Sequence, residues 1–500
     1  MRTVIGIDGG TESLRAGVFS LTGEPLAFAS SPYDTAFPHP AWAEQNPEDW
    51  WQALGKAVRA AVNQAGIRPD QVDAVALDTT SCSVVLLGED HRPLRPALIW
   101  MDVRAAEETK AVLATGDPAL VLNSGGAGPV SAEWMLPKAL WLKRHEPDVF
   151  ARAGAVCEYQ DYLNLRLTGR LAASITNASI RWHYRARDGG YAPSLAAALG
   201  MPELIDLWPK DVLPLADVVG KLTPEAADHL GLPPGTPVAQ GGPDAFIATI
   251  GLGVVRPGSL ALITGSSHLQ LGMSATEVHG RGIWGSYADA VVPGLHVIEG
   301  GQTSTGSVIA WLRRLLGEGV DFDTLNAEAA AVPPGSDGVL VQEHFQGNRT
   351  PYTDARSRGV VAGLSLSHGR GHLFRAVMEG IAFGTELIFE TMRQAGCGPT
   401  RVVAAGGAAR SPLWLQIHAD VSGLPLVLTR VPEGPALGSA VIAATAAGHY
   451  PDLPTASDAM VQIDRQVDPD PAAHAVYREV YQRYKALYPA TQPIHHAGAV

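Results

Sequence analysis

The sequence predicts an α/β chain built as two similar halves, and three observations predict it. An apolar strand at the start of the chain runs into the turn Asp8-Gly-Gly-Thr11 and out into a second strand. The same strand, small polar turn and strand recur over GSLALITGSSHLQLGMS from Gly258, with Thr264, Gly265, Ser266 and Ser267 at the tip. A strand from Arg401 then ends in a double glycine before an amphipathic stretch, the usual order of strand, turn and helix in mixed α/β chains.

In order, the first elements are strands over Thr3 to Ile7, Ser13 to Ser20 and Pro25 to Ser31, a meander turning at Gly9-Gly10 and Thr22-Gly23. Pro47 to Ala65 has helical spacing, with Asn46 as N-cap and Pro47 at the first helical position. A buried strand, Ala74 to Leu77, leads into Asp78-Thr-Thr-Ser-Cys-Ser. The boundary between halves falls at Gly241-Gly242-Pro243-Asp244, giving domains of 1–243 and 244–488. Helical patterns follow at His372 to Ala395, Pro435 to Ala447 and Pro471 to Leu487, and Ser411-Pro412 reads as cap and first turn of another. Residues 489–500 are expected to fray.

Bulk properties narrow the function. Five hundred residues with 46% apolar content can bury more than one core. A net charge of -13 argues against a general nucleic-acid or anionic-membrane binder. Cys82, Cys157 and Cys397 lie far apart, without metal or redox spacing, and suit a reducing compartment. No leader-like segment precedes the first strand and no apolar run approaches a membrane span, so the expected location is cytoplasmic. The sequons at Asn177 and Asn348 are then chance matches.

A glycine turn lets backbone N–H groups approach phosphate oxygens, and a hydroxyl at its tip adds a donor. Two such turns, one per half, suit a polyphosphate between them, with Asp8 placed for Mg²⁺ through water. Ordinary hairpin chemistry explains an isolated Asp-Gly-Gly turn equally well. The phosphate-loop motif G-x-x-x-x-G-K-[ST], a complete dinucleotide fingerprint and the zinc motif H-E-x-x-H are all absent.

Taken together, these residues resemble the FGGY family of carbohydrate kinases, from Asp8 to about Tyr450. Asp8-Gly-Gly-Thr11 and Ile263-Thr-Gly-Ser-Ser267 look like its two phosphate motifs, and Ala405-Gly-Gly407-Ala-Ala-Arg-Ser411 like its adenosine motif. Glu433-Gly-Pro-Ala-Leu-Gly438 looks like an adenine-side wall, and Pro137-Lys-Ala-Leu-Trp-Leu142 is similar to the first family signature. The second signature is matched by Gly359-Val-Val-Ala-Gly-Leu364, then His372-Leu and Ala376-Val-Met-Glu379.

The resemblance implies two RNase H-like domains of the actin, Hsp70 and hexokinase type flanking a cleft, with ATP and Mg²⁺ as cofactors. It implies Asp244 as catalytic base, a role compatible with capping the helix it opens. Nucleotide contacts carried over are Thr11, Arg15, Thr264, Gly265, Gly306, Gly407 and Ser411, with Asp8 for the metal. Arg15 reads equally as a solvated edge charge, and Gly306 as a simple turn.

Candidates for the sugar are Thr80, Ser81, Cys82, Asp102, Arg181, Glu299 and Asp244 itself; Thr79, Asp161 and Trp134 were weighed with them, Trp134 also reading as core. The turn after Asp78, Trp100-Met-Asp-Val-Arg-Ala, the segment from Glu299 and His344-Phe-Gln-Gly-Asn-Arg-Thr-Pro look most like the ribulokinase branch. Arg181 departs from it, standing where ribulokinases tend to carry Lys. The expected partner is a ketopentose, ribulose-like first, with a xylulose or four-carbon substrate as alternative and a non-catalytic sugar or nucleotide binder as the rival of another class. A homodimer is the assembly left open.

Overall fold

The computed structural model describes residues 1–126, 128, 130–280, 282–317 and 319–498. The first half is organised on a sheet of six strands. These are β1 (Thr3–Gly9), β2 (Ser13–Ser20), β3 (Pro25–Pro32), β4 (Val72–Thr79), β5 (Val218–Lys221) and β6 (Pro237–Ala239), in the order β5-β6-β4-β1-β2-β3. The meander expected at the start is present, and β4 lies parallel to β1 with Asp78 in register with Asp8. Helix α1 (Pro47–Ala65) begins where the sequence places it: Asn46 accepts the Glu48 N–H and Pro47 occupies the first turn. Trp50, Leu54, Val58 and Ala61 of α1 are buried in one core with Ile5, Ile7 and Val75.

Three further helices of this half shape the site: α2 (Met135–His145), α3 (Tyr159–Thr168) and α4 (Ile175–Arg181). After β6 the chain forms α5 (Asp244–Gly251) and then a second sheet, of seven strands. In chain order these are β7 (Ser259–Thr264), β8 (His268–Ser274), β9 (Gly285–Ala288), β10 (His296–Gln302), β11 (Arg401–Gly406), β12 (Leu426–Thr429) and β13 (Ile463–Val467), arranged β9-β10-β8-β7-β11-β12-β13. Each half thus has three central parallel strands, β1, β4 and β6 in the first and β7, β11 and β12 in the second, flanked by antiparallel partners. The remaining helices used below are α6 (Gly306–Leu315), α7 (Phe322–Ala330), α8 (Arg370–Gln394), α9 (Pro412–Ser422), α10 (Gly434–Ala446) and α11 (Pro471–Gly498).

The halves share a core. Val4, Phe19 and Ala76 of the first sheet are buried with Ile247 of α5 and Ala436, Leu437 and Ala440 of α10. Backbones approach closely there: a Cβ on Gly6 of β1 would meet the Ala436 carbonyl oxygen at 1.9 Å, and one on Gly438 would meet that of Ile247 at 2.2 Å. This corrects the expectation for Glu433 to Gly438, because the glycines of α10 serve helix packing on β1 and α5 and do not line the adenine side. A second correction concerns the tail. Residues 489–498 continue α11, and His496 is held by Asp354 at 2.7 Å, while 499 and 500 lie outside the described residues. Among the described residues no helix is long and apolar enough to cross a membrane.

Candidate active site

Two cavities meet at the turn between β7 and β8. One, of about 560 Å³, is lined by Gly265, Gly306, Gly407, Ser411, Asn326 and Trp414 among others. The other, of about 520 Å³, is lined by Thr11, Thr80, Ser81, Cys82, Arg181, Asp244 and Glu299 together with Trp134, Trp284 and Arg349. Ser266 and His268 face both. Most of the residues expected to touch nucleotide and most of those expected to touch sugar therefore fall in separate chambers joined at one phosphate-sized turn, with Thr11 on the sugar side.

The first chamber is set by close backbone approach. The Gly306 N–H, opening α6, donates to the Gly265 carbonyl at 3.2 Å, and a Cβ on Gly306 would stand 2.3 Å from that oxygen. Only glycine lets the N-terminus of α6 come this near the turn, and the Gly306 and Ser307 N–H groups donate to the Gly265 and Ser266 carbonyls, fixing the turn against the helix. Thr264 does not point its hydroxyl outward: it donates to the Ala405 carbonyl at 2.8 Å and accepts the Ala408 N–H at 3.3 Å, tying the second phosphate turn to the Gly406-Gly407 turn. Ser411 caps α9 by accepting the Trp414 N–H, and donates to Asn326 of α7 at 3.1 Å.

At the mouth of the second chamber, Thr11 receives a hydrogen bond from the Trp100 indole at 2.9 Å. Asp244 opens α5, and its Oδ1 accepts the Ala245 N–H at 2.6 Å. Burial, then the nearby charge of Asp8, pushes its carboxyl up to about 7. Asp8 is also raised by burial, against the pull of Arg15, its register partner on β2. Asp78, which the sequence reading did not select, completes the group. Burial and the charges of Asp8 and Asp244 push it well above the usual carboxylate range, and its Oδ2 accepts from Ser439 of α10 at 2.7 Å. Neither Asp8 nor Arg15 lines either cavity; both sit behind the Thr11 turn.

Deeper in, Arg181 and Glu299 form an ion pair, 3.0 Å from Nη2 to Oε1, with Glu299 buried. Tyr287 accepts from Arg181 at 2.9 Å and donates to Glu299 at 2.6 Å. The two expected sugar ligands thus act as one unit, with Arg181 over the Trp134 ring at 5.5 Å. Trp134 is both core and wall: it is buried, yet lines the cavity at an edge to Trp284. Burial raises the Cys82 thiol to about 11, so it faces the sugar chamber uncharged.

Two carboxylate candidates are elsewhere, and Thr79 is buried outside the cavity as well. Asp102 is fully buried away from the cavity, its oxygens taken by Arg104 at 2.7 Å and the Ala43 N–H at 2.7 Å. Asp161 accepts the Glu158 N–H at 3.1 Å as part of the capping of α3. Each has the carboxylate that polyol hydroxyls call for, and residue type alone does not reveal an internal partner. Tyr287, Trp284 and Arg349 were missed; Arg349 lies in a segment already singled out, whereas β9 carries no motif that marks Tyr287.

Profile comparison matches residues 3–251 to the N-terminal domain, and 260–447 to the C-terminal domain, of the FGGY family of carbohydrate kinases. The chain belongs to that family. Among its relatives, the ribulokinase of Shouchella clausii is 31% identical over 97% of this chain and 95% of its own. The xylulose kinase of Bacillus subtilis is 28% identical over 99% of each. Among solved structures, the xylulose kinase from Rhodospirillum rubrum superposes with a TM-score of 0.90 at 32% identity, over 99% of this chain and 100% of that one. Members of this family take ATP as phosphate donor, and the first, 560 Å³ chamber has the glycine turns that such a donor needs.

Proposed function

We propose that the protein is an ATP- and Mg²⁺-dependent kinase that phosphorylates a terminal hydroxyl of a ketopentose, ribulose-like first. The observation that carries this reading is the position of Asp244 in the sugar chamber, close to the turn Ser266–His268 shared with the nucleotide chamber. ATP lies in the first chamber with its γ-phosphate at that turn. The sugar oxygen attacks the γ-phosphorus, its proton passes to Asp244, the new O–P bond forms, and the bond to the β,γ-bridging oxygen breaks to release ADP. Thr11, Gly265 and the start of α6 position the phosphates, and the Arg181–Glu299 unit with Thr80, Ser81 and Cys82 holds the sugar hydroxyls. Closing the cleft excludes water as a competing acceptor.

The acidic group suits Mg²⁺. Burial raises the carboxyls of Asp8, Asp78 and Asp244, the charge of Asp8 adds to the rise of the other two and that of Asp244 to Asp78, and Arg15 is the cation acting on Asp8, so a divalent cation would relieve them. Among the described residues no cluster of three metal-type side chains converges to ligate an ion directly, which fits a cation that keeps most of its water and takes its remaining ligands from phosphate. Asp8 would hold it, and bound there it would neutralise charge on the transferring phosphoryl group.

The segment from Asp78 and that from Glu299 favour ribulose, while likeness to the xylulose kinase structure supports xylulose as a second reading. A coupled ADP-release assay across D- and L-ribulose, D- and L-xylulose, erythritol, erythrulose and glycerol tests both. Strong stimulation by one pentulose is expected. Equal ATP hydrolysis with and without every polyol would overturn the kinase reading in favour of a binding protein.

A further inference from the structure

The turn 80–83 that lines the sugar chamber is held in an unfavourable backbone conformation. Cys82 has φ of 64°, in the left-handed region that residues other than glycine rarely adopt. Two buried charged side chains grip its peptide groups from opposite ends. Glu158 accepts the Cys82 N–H at 3.1 Å on one carboxylate oxygen and the Ser83 N–H at 2.9 Å on the other. Lys138, fully buried, donates from Nζ to the Cys82 carbonyl at 2.9 Å and to the Ile99 carbonyl at 2.5 Å. Among the described residues neither forms an ion pair. Burying an ammonium and a carboxylate without a direct ion pair costs stability that an apolar pair of similar volume would not. Core packing therefore does not explain them.

The same two groups tie the turn to the rest of the chamber. Lys138 lies one helical turn after Trp134, a wall of the cavity, on α2. Glu158 also accepts from the Trp182 indole at 3.2 Å, and Trp182 directly follows Arg181. Three walls of the sugar chamber thus converge on this clamp. Resting on the kinase reading above, we propose that Lys138 and Glu158 are positioning residues for the acceptor sugar, fixing the strained turn 80–83 in register with Trp134 and Arg181. Burial raises the Glu158 carboxyl to about 7 and lowers Lys138 to about 8, and both shifts are opposed by the hydrogen bonds or charges that face them.

Glu158→Gln keeps the shape but offers an amide N–H where a backbone N–H must be accepted, and Lys138→Met keeps the volume while removing both donors. In the full chain, with D-ribulose, L-ribulose and D-xylulose as probes, each variant is expected to raise the pentulose KM about tenfold while the KM for Mg·ATP stays put. Hydrogen–deuterium exchange of the peptide 80–84, measured without sugar, is expected to quicken about tenfold in the same variants. Unchanged pentulose KM, with kcat falling only as the folded fraction falls, would overturn the proposal, as would unchanged exchange at the turn. The isosteric Glu158→Gln carries the test should Lys138→Met not fold. If the wild type turns over no pentulose, the substrate reading fails and the exchange measurement alone decides the clamp.

Discussion

Replacing Asp244 by Asn separates the base from everything else the residue does. The amide is isosteric, and its oxygen can still accept the Ala245 N–H that Asp244 accepts at 2.6 Å, so the start of α5 stays intact. What is lost is a carboxylate able to take a proton beside the turn Ser266–His268. A positioned base typically contributes about 10²- to 10⁴-fold, or about 3–5 kcal/mol of barrier, and kcat should fall by that amount. Asp244 does not line the nucleotide chamber, so the KM for ATP should stay within about threefold. Because burial and Asp8 raise the carboxyl to about 7, the wild-type kcat/KM should rise with pH through that value as the base ionises, and the variant should be flat there. Stability runs the other way. A folded-state value of about 7 against an ordinary 3.8 means that stability present below about pH 4 is lost as pH rises through 7. Asn escapes that loss, so above neutrality the variant should be the more stable protein, by about 2 kcal/mol once water in the cavity is allowed for. The coupled ADP-release assay over a pH series, with thermal unfolding alongside, reads all of this. A variant with kcat within about tenfold of wild type, or one that keeps the limb near pH 7, would refute the assignment of Asp244 as base.

Gly306→Ala should raise the KM for ATP about tenfold or more with a smaller change for the sugar, because the new methyl would stand 2.3 Å from the Gly265 carbonyl and push α6 off the phosphate turn; steady-state kinetics with each substrate varied in turn checks it. Arg181→Gln leaves Glu299 buried without its cation and should cost about 3–5 kcal/mol in denaturant unfolding, whereas Arg181→Lys should keep more of the fold and shift the ranking of pentuloses in the assay. Glu343 is raised to about 7 by burial, against hydrogen bonds from Tyr484 and Gln302, so its contribution to stability is present below about pH 4.5 and lost as pH rises through 7; Glu343→Gln should flatten the decline of Tm across that window.

Local chemistry with a fixed period or a fixed cap was legible in the chain, and contacts made at a distance were not. The strands around Asp8 and Thr264, the cap at Asn46 and the helix after Ser411 follow from alternation, proline and capping residues that act within a few positions. The extension of α11 through Pro489 and Pro493 could not be read that way, since prolines ordinarily end a helix; here the end is held by tertiary partners, among them Asp354 for His496. The second signature teaches the same lesson from inside a motif. Glu379, the last residue of that signature, takes hydrogen bonds on its carboxylate from Arg375, Ser336 and Tyr477 and ties α8 to α11.

Within the site, the distinction decides which residues a sequence can assign. Turn residues such as Gly306 and Gly406 are fixed by backbone approach, and a glycine at a turn announces that need. A carboxylate announces only that it seeks a partner. Asp102 found Arg104, Glu299 found Arg181, and Asp78 found Ser439 across the core shared by the two halves. Asp244 instead faces the chamber, on a wall shared with Glu133, and its side chain accepts one backbone N–H, that of Ala245. The proposal of Asp244 as base thus rests less on its being acidic than on its place at the start of α5, where burial and Asp8 raise its carboxyl to about 7, an argument that needs the packed core of both halves before it can be made.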